Sequence, residues 1–274
     1  MLSALIRALA AATLAGALAL PAAAQENTAN DPRLTTPGKL TVGTGDPVYP
    51  PWMLNNDPAS GEGFENGLVY ALAAKLGFAR EDVVWVGQTF DQAIAPGRKP
   101  YDFSIQQISV TEERAKVVSF SQVYFQPDKA VVALPDSPVV AARSFADLRG
   151  TRWGATVGTT DLAYLETVLG GDNAAVYDDQ VGGFQALQAR QIDATVVARP
   201  TALFVTAVQV PEARIVALLP PDANDRGHGL LFEFGNPLVP WIDAALSELK
   251  AEGTIDALKA QYLVADPDLP VIAE

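Results

Sequence analysis

Cysteine is absent from the 274 residues, and histidine occurs once, as His228. The first absence excludes disulfides, thiolate metal sites, thiol nucleophiles and lipid attachment through Cys. The second removes most imidazole chemistry. Basic residues are scarce as well: 19 Lys and Arg stand against 32 Asp and Glu, a formal net charge of -13. No Lys/Arg stripe remains to neutralise a phosphate backbone, which excludes nucleic acid as a partner. Internal repeats and low-complexity tracts are missing too. What is present is a chain 49% hydrophobic and 19% charged. That balance excludes wholesale disorder, and the length suits one large domain or two ordinary ones.

Met1 to Ala24 reads as an export signal rather than part of the fold. Arg7 supplies the positive start, Ala8 to Leu20 the apolar stretch, and Pro21-Ala22-Ala23-Ala24 the small residues of a cleavage site. The apolar run of about 13 residues is too short to span roughly 30 Å of hydrocarbon. The expected product begins near Gln25 and is exported to a periplasm, untethered because no Cys stands at the cleavage site. No later segment is apolar enough to cross a membrane.

Residues 25–38 are polar and carry Pro32, Pro37 and Gly38, the pattern of a flexible lead-in. Short β-rich runs then alternate with helical patterns. Leu40-Thr41-Val42, Val83 to Val86 and Phe103-Ser104-Ile105 read as strands. Leu68, Leu72 and Leu76 mark one face of a helix that Gly77 stops. Ser109-Val110-Thr111-Glu112 has the form of a capping box, predicting a helix through Lys116. Strands follow at 130–134, 152–157, 174–177, 194–197, 215–219 and 229–232. Helices are predicted at 161–169, capped by Thr159 or Thr160, and at 184–190, 201–208, 238–251 and 254–262. Two successive runs of β-α-β character imply an α/β fold of two lobes, each built on a mostly parallel sheet. Ligands bind such sheets beyond the carboxyl ends of strands, so the expected site is a cleft between the lobes.

The motifs Gly45-Asp46-Pro47-Val48-Tyr49-Pro50-Pro51-Trp52, Gly63-Phe64-Glu65 and Ser109 to Arg114 together resemble the bacterial extracellular solute-binding proteins of the polar amino-acid type, family 3. Leu148-Arg149-Gly150, Val157-Gly158-Thr159-Thr160, Ala186-Leu187-Gln188, Ile192-Asp193-Ala194 and Leu249 to Thr254 continue the likeness in order, from Lys39 to Tyr262. The resemblance implies a two-lobed periplasmic binding protein fold with two hinge crossings, near residues 125–130 and 219–227. It would place 39–128 with 226–264 in one lobe and 129–225 in the other, leaving 265–274 as a C-terminal tail. It also implies a monomeric receptor that hands its ligand to the membrane permease of an ABC importer, with no cofactor and no metal.

By the same resemblance, Arg114 pairs with the ligand's carboxylate, a role its planar fork of donors suits. Ser109 adds a hydroxyl, the backbone near Gln107 adds polar contacts, and Thr160 sits at a helix mouth that favours an anion. Tyr49, Trp52 and Phe90 match positions whose rings wall the pocket, and Asp46 matches one that reaches the ligand side chain. One position departs from the pattern. Where the family places an Asp for the ligand's ammonium, this chain has Ala198, followed by Arg199. An ammonium buried without a counter-charge is costly. Either Asp161, Glu65 or Asp46 replaces that carboxylate, or the ligand lacks an ammonium and Arg199 joins Arg114 on a second anionic group. The sequence leans toward the latter.

His228, between Gly227 and Gly229, reads as a hinge-loop residue. Val42 to Pro47 lacks the third Gly of a dinucleotide loop and has Pro where the helix should begin, so no such cofactor is expected. The leading function is capture of a small polar, carboxylate-bearing ligand for import. The alternatives are a dehydratase on the same fold, with Glu65 or Asp161 as general acid, and a ligand-binding sensory partner.

Overall fold

The computed structural model describes residues 26–171, 173–263 and 268–272. The export signal expected at 1–24 lies outside the described residues. In chain order the elements begin with β1 (Leu40–Gly45), α1 (Phe64–Lys75), β2 (Val83–Gln88), α2 (Phe90–Ile94), β3 (Phe103–Ser104) and β4 (Val118–Phe125). The chain continues through β5 (Lys129–Ala133), β6 (Trp153–Thr156), α3 (Thr160–Thr167), β7 (Ala175–Tyr177), α4 (Gln180–Gln188), β8 (Ala194–Ala198), α5 (Arg199–Phe204) and β9 (Arg214–Leu218). It closes with β10 (His228–Glu233), α6 (Val239–Ala251) and α7 (Thr254–Tyr262). No helix among the described residues is long and apolar enough to cross a membrane.

These strands form two five-stranded sheets, ordered β2-β1-β3-β10-β4 and β7-β6-β8-β5-β9. Both are mixed, and the reason lies in the route of the chain. Strands reached through a helix, such as β2 from β1 and β7 from β6, pair in parallel. β5 and β10 instead arrive directly from the other sheet, and both run antiparallel to their neighbours. The chain leaves the first sheet after Phe125 and enters the second at Lys129; it leaves the second after Leu218 and returns at His228. Between these strands the chain thus passes twice from one lobe to the other, by short segments.

Each sheet carries its own core. All six residues of β1 are buried, as a strand covered on both faces requires. α1 lays Phe64, Leu68 and Leu72, each fully buried, against it. Burying one such side chain is worth about 1.5–3 kcal/mol. The turn into α1 needs Gly63, whose φ of 116° suits glycine and where a Cβ would run into the Trp52 carbonyl. The second core gathers Val131, Leu148, Trp153, Leu165 and Val196.

Local expectations fail in four places. Ser109 caps no helix: only a single 3-10 turn, Arg114–Lys116, forms, and its N-cap makes no side-chain hydrogen bond. The Ser109 hydroxyl is drawn away to Thr160 and Asp225, and its backbone bridges His228. β4 was not anticipated, because Ser119, Ser121 and Gln122 interrupt its apolar character. The segment before β1 is anchored rather than flexible. Leu34 joins the first core, Asp31 is fully buried against Arg33, and Asp102 accepts hydrogen bonds from the N–H groups of Thr35 and Thr41 at 2.6 and 2.7 Å. Residues 268–272 return to the second sheet. Val271 bridges Leu218 in parallel, the Ile272 N–H donates to the Leu218 carbonyl at 3.0 Å, and the Ile272 side chain is 1% exposed.

Candidate functional site

A cavity of about 140 Å³ lies between the sheets, walled by residues of both. The first sheet's side contributes Asp46, Tyr49, Gln88, Phe90, Gln107, Ser109 and His228; the second contributes Lys129, Thr156, Thr160, Asp161, Ala198 and Thr201. The wall is placed by element ends. β1 and β2 end at Gly45 and Gln88, and α2 begins at Phe90. There Thr89 caps the helix in a reciprocal pair with Gln92. Thr159 caps α3 by accepting from the Leu162 N–H at 3.2 Å, which leaves the Thr160 and Asp161 side chains on the wall at a positive helix end.

The polar centre of the cleft is an ionic cluster. Lys129 Nζ donates to Asp161 Oδ1 at 2.8 Å, Thr160 Oγ1 at 3.0 Å and Asp225 Oδ2 at 3.1 Å. Asp225 Oδ2 also accepts from Ser109 Oγ at 2.9 Å and Thr160 Oγ1 at 2.8 Å. Burial opposes the charges, yet the partners outweigh it. The Lys129 pKa is raised above its usual value despite desolvation, through Asp161 and Asp225. Desolvation would raise that of Asp225, but Lys129, the Gly227 N–H and the two hydroxyls hold it at about 2. Both groups are therefore charged at neutral pH.

His228 lies alongside, packed on Trp52, Phe125 and Tyr124 with ring centres 5.4, 5.8 and 6.2 Å away. Burial lowers its pKa to about 3, so the ring is neutral. It opens β10 and faces the cleft rather than sitting in a loop. Gln107 adopts a left-handed backbone, φ 52°, a conformation that needs support in a non-glycine residue. Glu65 supplies it, accepting the Gln107 N–H at 2.8 Å, the Gln107 side-chain amide and the Tyr124 hydroxyl. Burial pushes the Glu65 pKa to about 7.

Of the residues singled out from sequence, Asp46, Tyr49, Phe90, Gln107, Ser109, Thr160 and Ala198 meet on this wall. Three do not. Arg114 is buried beside it, donating to the carbonyls of Ser109 at 2.6 Å and Gly158 at 2.9 Å, with its guanidinium carbon 5.4 Å from the Phe90 ring centre. Trp52, 1% exposed, donates its indole N–H to Thr201 Oγ1 at 2.9 Å. Arg199 forms an ion pair with Asp128 at 3.2 Å and is not among the residues of the wall. Of the carboxylates considered in place of Ala198, Asp46 and Asp161 line the cleft; Glu65 is fully buried and does not. Sequence reasoning missed Lys129 and Asp225. The one available signal was a lone cation at the head of the apolar run Ala130 to Leu134, in register with Ala198.

The model of the bacterial extracellular solute-binding proteins, family 3, matches residues 40–265. An L-cystine-binding protein of Escherichia coli (strain K12) is 27% identical over 234 residues, 84% of each chain. ABC transporter arginine-binding protein 1 of the same strain is 27% identical over 223 residues, 78% of this chain and 87% of that one. Among solved structures, an ancestral arginine-binding protein bound to arginine is 29% identical with a TM-score of 0.69, covering 83% of this chain and 99% of that chain.

Proposed function

Because the chain belongs to the bacterial extracellular solute-binding proteins, family 3, we propose that it captures a small polar solute of the amino-acid class in the periplasm and delivers it to the permease of an ABC importer. The observation that carries this reading is the cleft itself, whose polar wall is shared by both sheets. A solute held there touches both lobes at once, so binding favours their closure, and closure presents a joint surface that a permease can distinguish from the open form. Tyr49 and Phe90 offer ring faces to the body of the ligand. Ser109, Thr160 and Lys129 offer donors to an anionic end. Asp46 and Asp161 supply the negative charge that Ala198 lacks, which favours a ligand carrying an ammonium over the amine-free acid.

A thermal-unfolding screen of protein refolded from denaturant tests this, with α-amino acids set against the matched keto acids. An amino acid at about 100 times its dissociation constant is expected to add roughly 2.7 kcal/mol and raise the melting temperature visibly. Stabilisation by keto acids alone would overturn the amino-acid reading and return Ala198 to its sequence interpretation.

A further inference from the structure

The donors best placed to receive a carboxylate in this cleft already hold one. Ser109 Oγ, Thr160 Oγ1 and Lys129 Nζ converge on a single oxygen, Oδ2 of Asp225, at 2.9, 2.8 and 3.1 Å. Two hydroxyls and an ammonium beside the N-terminus of α3 make an anion receptor. Its occupant comes from the segment that returns the chain to the first sheet. Asp225 is anchored there through its other oxygen, which accepts the Gly227 N–H at 2.9 Å. Arg114 stands beside the wall rather than on it, with one N–H of each terminal nitrogen donated to a backbone carbonyl. Lys129 has three donor hydrogens and three acceptors around it.

We propose that Asp225 competes with the ligand's carboxylate for Ser109, Thr160 and Lys129, and thereby sets the preference of the cleft between amino acids and the amines that lack a carboxylate. The inference rests on the amino-acid reading above and deepens it. A ligand carboxylate must displace Asp225 Oδ2 or share the cradle with it, and two carboxylates at such separation repel strongly. Protonation does not relieve the conflict near neutral pH, because the cluster holds Asp225 ionised. A decarboxylated analogue meets no such competitor. It leaves the cradle intact and faces a wall whose remaining carboxylates, Asp46, Asp161, Asp178 and Asp179, suit a cation.

Titration calorimetry of wild type and Asp225→Asn tests the proposal with two matched pairs, L-arginine with agmatine and L-cystine with cystamine. Asn keeps the acceptor for the Gly227 N–H but removes the competing charge; Asp225→Ser serves if Asn disturbs folding. The ratio of amino-acid to amine affinity is expected to rise at least tenfold in the variant. A purely structural role for Asp225 would weaken both members of a pair alike and leave the ratio unchanged. An unchanged or falling ratio in a folded variant would overturn the inference while leaving the proposed function standing. If neither pair binds, the tightest amino acid of the unfolding screen and its decarboxylated analogue take their place, and failure of every amino acid in that screen would overturn both.

Discussion

Glu65, beneath Gln107, and His228, on the cleft wall, are buried titratable groups, and their shifts act on stability in opposite senses. Glu65 holds its proton up to about pH 7 in the folded state but only to 4.5 when exposed. Between those values the folded protein binds more protons than the unfolded chain, so stability falls as pH rises from 4.5 to 7. The full effect is roughly 3 kcal/mol. His228, lowered from 6.5 to about 3, contributes stability that is complete above pH 6.5 and is lost as pH falls toward 3. The variant Glu65→Gln isolates the first contribution. In urea denaturation its stability relative to wild type should improve by roughly 3 kcal/mol between pH 4.5 and 7.5. A gap that stays constant with pH would show that Glu65 is ionised throughout.

At the scale of elements, the segment 268–272 makes the clearest demand. Ile272, 1% exposed, sits in the core of the second sheet, though the preceding helix α7 packs on the first through Ile255. Ile272→Ala should cost about 2–5 kcal/mol, the usual loss for an aliphatic residue truncated in a close-packed site; chemical denaturation measures it. A change below about 0.5 kcal/mol, typical of surface positions, would mean that this return strand is not part of the core. The same segment illustrates what can be read from sequence. β1, α1 and the cap of α3, narrowed to Thr159 or Thr160, were legible because periodicity and capping are local. The pairing of Val271 with Leu218 and the anchoring of Leu34 depend on partners far along the chain, and their own compositions read as tail and linker. The ionic cluster was invisible for the same reason: Lys129 and Asp225 stand 96 residues apart, and neither lies in a motif. Seven of the ten ligand-site expectations fall on the cleft wall, because the motifs that suggested them also place strand and helix ends there. Arg114, Trp52 and Arg199 fall beside it, since sequence gives proximity to a site but not which way a long side chain turns.

In the whole molecule, binding and shape are linked through contacts that cross between the lobes. Trp52 from the loop after β1 donates to Thr201 on α5. Arg114, which follows β3, donates to Gly158 at the foot of α3, and Ser109 meets Thr160 through Asp225. The first and last of these contacts end on residues that wall the cavity, Thr201 and the pair Ser109 and Thr160, so a ligand inside it shares in holding the lobes together. The central claim is that this cleft is where the solute sits. A crystal structure of the protein with the tightest ligand from the unfolding screen tests it most directly. The ligand should lie between the sheets, its body against Tyr49 and Phe90, its polar end at Ser109, Thr160 and Lys129, with Asp225 Oδ2 displaced wherever the ligand brings a carboxylate. A ligand bound instead in the outer groove flanked by Glu112, Arg114 and Leu162, with the cleft cluster unchanged, would contradict the account.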